Sequence, residues 1–175
     1  MKTIAIFTKA LFAIAIFFNV SSAQESYLPS PDTNSYFERL VGKYEGSEIR
    51  NGMQFQSNVE INWDLNHQFL MINVSSSAKD NPAMSYEGKG IWAVDENGNF
   101  TSWWFDIFGP GNVTTGKGMI EGNVLTVEDR SNQGSSNWTL ELKENGAVMK
   151  GSGLYKDGKG NTIPTSFESN FKTAH

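Results

Sequence analysis

The chain contains no cysteine, and histidine occurs only at His67 and His175. The first absence excludes disulfides, thiol nucleophiles, thiolate metal sites and the lipid anchor of a bacterial lipoprotein. Two isolated histidines cannot complete a tetrahedral zinc set, and they leave a serine triad with almost no candidate base. Basic residues are also scarce, at 14 Lys and Arg against 19 Asp and Glu, for a net charge of −5. No basic cluster interrupts the acidic balance, so nucleic acid and anionic membrane are not expected partners.

Long apolar runs are missing everywhere except near the start. There, Lys2 and Lys9 precede an apolar stretch over 10–18, followed by the small residues Ser21, Ser22 and Ala23. That order is the order of a secretory signal, with small side chains where signal peptidase needs them. The uncharged run over 10–23 is shorter than the ~20 apolar residues of a spanning helix. Cleavage is therefore expected after Ala23, which leaves 152 residues carrying 12 basic and 19 acidic side chains, a net of −7. The product is expected to be secreted or periplasmic, with no membrane association once the signal is removed.

What the chain does have is alternation. Residues 24–34, with Pro29 and Pro31 among polar neighbours, read as an extended leader. A capping-type Asn34 or Ser35, Glu38 three residues on, and apolar Tyr36, Phe37 and Leu40 predict one short helix over 35–40. Beyond it the pattern has period two, punctuated by Asn51-Gly52, Asn97-Gly98, Asn145-Gly146 and Asp157-Gly158, pairs that tight hairpins prefer. About ten strands follow: 43–50, 54–64, 69–76, 85–94, 100–107, 113–120, 124–130, 137–142, 148–155 and 162–171. Short turns between successive strands force an antiparallel meander, and closure removes its exposed edges. One all-β domain over 35–175 is expected, an up-and-down barrel with a two-sheet sandwich as its competitor.

The segment Leu40-Val41-Gly42-Lys43-Tyr44-Glu45-Gly46, a helix leading into Gly-x-aromatic, resembles the entry motif of lipocalins and the wider calycins, with Tyr44 where lipocalins usually have Trp. Gly88-Lys89-Gly90-Ile91-Trp92-Ala93-Val94-Asp95, Phe100 and Trp104-Phe105-Asp106 are similar to an uncharacterised lipocalin-like family of small bacterial barrels. The resemblance runs from about Leu40 to Phe171 and implies a calycin-like fold without an established reaction. It departs at Leu65-Asn66-His67-Gln68-Phe69, where the family's Gly-Gly-Arg-Phe-like stretch is missing, so that arginine's role does not transfer. Haem barrels of the nitrobindin type, also similar, hold iron through a late histidine; 148–171 contains none, and no cofactor is expected.

Within such a barrel the positions expected to meet a ligand are Tyr44, Trp63, Phe100, Trp104, Asp106 and Arg130. Phe100, Ser102, Trp104 and Asp106 share one face of their strand, while Thr101, Trp103 and Phe105 share the other. Asp106 is the best carboxylate for acid or base chemistry, against its use as an acceptor for loop amides before Gly109-Pro110-Gly111. Arg130 offers a fork for a ligand carboxylate if it turns inward, or pairs with an acid such as Asp129 if it stays on the rim. No catalytic set and no metal site is assigned. The leading expectation is an exported barrel for a small, partly apolar or amphipathic ligand. An enzyme built on Asp106 is one alternative, and a barrel that joins a second copy through Trp103 and Phe105 is the other.

Overall fold

The computed structural model describes residues 31–174, so the expected signal segment and most of the expected leader lie outside the described residues. A helix α1 (Pro31–Glu38) leads into ten strands: β1 (Gly42–Arg50), β2 (Met53–Asp64), β3 (Phe69–Ala78), β4 (Asn81–Val94), β5 (Asn99–Asp106), β6 (Thr114–Glu121), β7 (Val124–Ser131), β8 (Gly134–Lys143), β9 (Gly146–Lys156) and β10 (Thr162–Thr173). Each strand pairs antiparallel with its sequence neighbours, and β1 pairs with β10 to close the barrel. The expected architecture is thus the observed one, and the sandwich is excluded. Ten strands enclose more room than the eight that side chains nearly fill on their own.

Local chemistry accounts for the elements. Asn51 and Gly52 both take positive φ, 48° and 82°, as a two-residue hairpin turn with the twist of its strands requires. Asp95 and Asp157 each accept backbone and side-chain hydrogen bonds from an Asn four residues on, Asn99 and Asn161, closing two matching loops. These bonds hold both exposed carboxyls below the usual range. The second loop corrects the expected Asp157-Gly158 turn, since the positive φ falls at Gly160 instead.

The helix also differs from expectation, starting at Pro31 and ending at Glu38. Proline suits a first helical turn because its missing N–H has no partner there. Its C-terminal turn closes with Leu40 N donating to Phe37 O at 2.9 Å. Tyr36, Phe37 and Leu40 are almost fully buried and plug one end of the barrel. There Phe37 meets Trp63 and Phe100, and Trp92, Phe100 and Trp138 pack ring against ring at 5.5 to 6.3 Å. This aromatic floor is the core of the molecule. Above it the barrel stays open.

Candidate functional site

Above the floor lies a cavity of about 430 Å³, within the size range of small-molecule pockets. It exists because large side chains lie along the wall instead of crossing the lumen, and inward glycines make that possible. A methyl group at Gly88 would overlap the Trp104 ring, and one at Gly90 would stand 2.9 Å from it. Gly46 and Gly151 serve Phe171 and Phe167 in the same way. Apolar Ile72, Val74 and Met149 complete the lower wall.

Toward the mouth the wall turns polar. Trp104 Nε1 donates to the Tyr86 hydroxyl at 2.6 Å, and burial pushes the Tyr86 phenol up to about 12. Arg50 points inward, paired with buried Glu48 through Nε at 2.7 Å, its guanidinium about 5 Å from the ring centres of Phe55 and Tyr86. Asp106 accepts from Phe108 N and Asn112 Nδ2, each at 3.0 Å. Both its oxygens therefore fix the loop over the mouth, which is the amide-acceptor role and not a free catalytic carboxylate.

The other polar group sits deeper. Ser102, Gly116, Asp129, Ser136, Gly153 and Thr165 are direct cross-strand partners in sequence from β5 to β10, so they form one inward belt. Asp129 stands in its middle and accepts from Trp138 Nε1 at 2.6 Å. Burial pushes its carboxyl up, and the Trp138 bond pulls it partly back. Next to it Tyr155 donates to Ser136 Oγ at 3.1 Å.

Of the six residues expected to meet a ligand, Tyr44, Trp104 and Asp106 line this cavity. Tyr44 also donates to the carbonyls of Leu40 and Arg39, which ties β1 to the plug. Phe100 points inward but is sealed in the floor at 1% exposure. Trp63 likewise serves the closed end, donating to Glu38 Oε1 at 2.9 Å and packing on the loop residue His67. Arg130 requires a correction. It lies on the outer face, exposed and bonded to Glu128, because strand periodicity puts the buried Leu125 and Val127 on the inner face together with Asp129. The sequence reading missed Asp129, Tyr86 and the Glu48–Arg50 pair. Leu125-x-Val127-x-Asp129 was the signal for the first of these.

No protein-family model matches the chain, and no curated protein matches it. Solved structures do. An S-type phycobiliprotein lyase from Guillardia theta is 10% identical with a TM-score of 0.66, covering 83% of this chain and 94% of its own. Rv2717c from M. tuberculosis is likewise 10% identical with a TM-score of 0.66, covering 85% of this chain and 100% of its own. At this identity the likeness is one of fold.

Proposed function

We propose that the protein is an exported, non-enzymatic binding barrel that holds one small, partly apolar molecule in its lumen, and that it belongs among the lipocalin-like barrels its entry and Trp-x-Asp motifs resemble. The observation that carries this reading is the open lumen itself. A barrel selected for stability alone would fill that space, because an empty apolar volume forfeits packing energy. Here glycines hold Trp104, Phe167 and Phe171 against the wall and keep the space clear. Aromatic walls with a few placed polar groups are the usual make-up of a ligand site. A phycobiliprotein lyase on the same fold supports the reading only to the extent that such barrels do handle other molecules.

The enzyme alternative loses support, since the Asp106 oxygens are engaged by the loop. A barrel that pairs with a second copy keeps one observation in its favour, the exposure of Phe105, Ile107 and Phe108 near the mouth. Native mass spectrometry after incubation with extract of the source cell tests the binding reading. A retained small molecule that is lost from the cavity-filling variants Val74→Phe and Met149→Phe supports it. A bare polypeptide mass in every case contradicts it.

A further inference from the structure

The lumen carries a charge imbalance with one specific address. Four ionisable side chains of fixed sign line it: Glu48, Asp106 and Asp129 as acids, and Arg50 as the one base. Glu48 is neutralised by Arg50, and Asp106 is satisfied by the mouth loop. Asp129 has neither arrangement. Among the described residues no cation pairs with it, and its one hydrogen bond comes from the neutral Trp138 indole, to Oδ2.

The second oxygen, Oδ1, leans across Gly116 toward Ser102 Oγ, and only a glycine leaves room for that placement, since a methyl group there would overlap both. A carboxylate taken out of water without a counter-charge costs stability, and the usual resolution is a partner that brings the charge with it. The surrounding surface specifies the rest of that partner. Trp92, Trp104, Trp138, Phe167 and Phe171 line the same cavity as the carboxylate. An aromatic lining favours a flat conjugated body, and ring faces add attraction for a cation.

Resting on the binding reading above, we infer that the ligand is a flat aromatic molecule bearing a protonated nitrogen, whose N–H meets Asp129 Oδ1 in the niche made by Gly116, Ser102 and Ser136. Asp129 is then the residue that determines ligand charge, since Glu48 is paired with Arg50 and Asp106 is held by the mouth loop.

Two dyes of opposite charge test this. Proflavine is a flat acridine, protonated at neutral pH and bearing N–H donors; 1-anilinonaphthalene-8-sulfonate is aromatic and anionic. Fluorescence titrations use the wild-type chain, Asp129→Asn, which keeps an acceptor for Trp138, and Glu128→Gln, which removes an acid from the outer face one residue away. Thermal unfolding confirms that each variant is folded. The expected result is proflavine binding that weakens about tenfold or more, about 1.4 kcal/mol, in Asp129→Asn and is unchanged in Glu128→Gln, with no loss for the anionic dye. Equal proflavine affinity in wild type and Asp129→Asn overturns the inference, and so does a wild-type preference for the anionic dye. Binding of neither dye overturns the binding reading as well.

Discussion

Trp104 lies flat over Gly88 and Gly90, with its indole N–H on the Tyr86 hydroxyl at 2.6 Å. One aromatic side chain is thereby kept out of the lumen by two missing side chains on the neighbouring strand. Gly88→Ala should push the ring off the wall and break its hydrogen bond, at a cost of about 1–3 kcal/mol for overpacking. Urea denaturation reads the loss, and near-ultraviolet circular dichroism reads the displaced indole. An unchanged near-ultraviolet spectrum would mean that the glycine does not hold the ring.

The plug supplies a second test. Phe37 is almost fully buried between Trp63, Phe100 and Tyr36, and Phe37→Ala should cost about 3–5 kcal/mol. Tyr36→Phe keeps the ring and removes the hydroxyl that donates to Leu140 O and meets the Leu125 backbone, and should cost about 1–2 kcal/mol. Equilibrium unfolding should rank the two in that order. A Phe37→Ala protein as stable as wild type would detach α1 from the core.

Asp129 should reveal its burial through pH. Because the folded carboxyl titrates above its unfolded value, ionisation favours the unfolded chain. The stability it allows is fully present at acid pH, below the unfolded value, and is lost as pH rises through the raised folded value. Asp129→Asn should therefore melt higher than wild type at neutral pH, with the gap closing below about pH 4. A gap of constant size across that range would show that the carboxyl is not desolvated.

Export is checked at the N-terminus. Sequencing of the protein recovered outside the cytoplasm should begin at Gln24, and a chain that retains Met1 would contradict the signal segment.

The barrel was legible because alternation and hairpin pairs are local, and closure follows from having ten strands joined by short turns. Residues 77–84 fall between the expected strands 69–76 and 85–94. The strands instead run on to a tight turn there, with a register shift at Ser77/Ala78. Strand period alone puts Trp104 and Asp106 on one face with Phe100, but both faces of that strand carry large aromatics, so only the family resemblance pointed that face inward. Arg130 has the chemistry for an inward fork or a rim pair, and the phase of β7 set by Leu125 and Val127 decides for the outer face. Which aromatic becomes floor and which becomes wall was not legible, because it depends on where the plug sits and on which inward positions opposite are glycine.

The central claim is that the lumen is a binding space, and methyl NMR during titration with each of the two dyes in turn tests it most directly. Ile72, Val74 and Met149 face the cavity, while Ile49, Met119 and Leu154 are exposed on the outside. Binding in the lumen predicts saturable shifts at the first three residues' methyl groups and none at the other three. Shifts confined to Ile49, Met119 and Leu154 would contradict it.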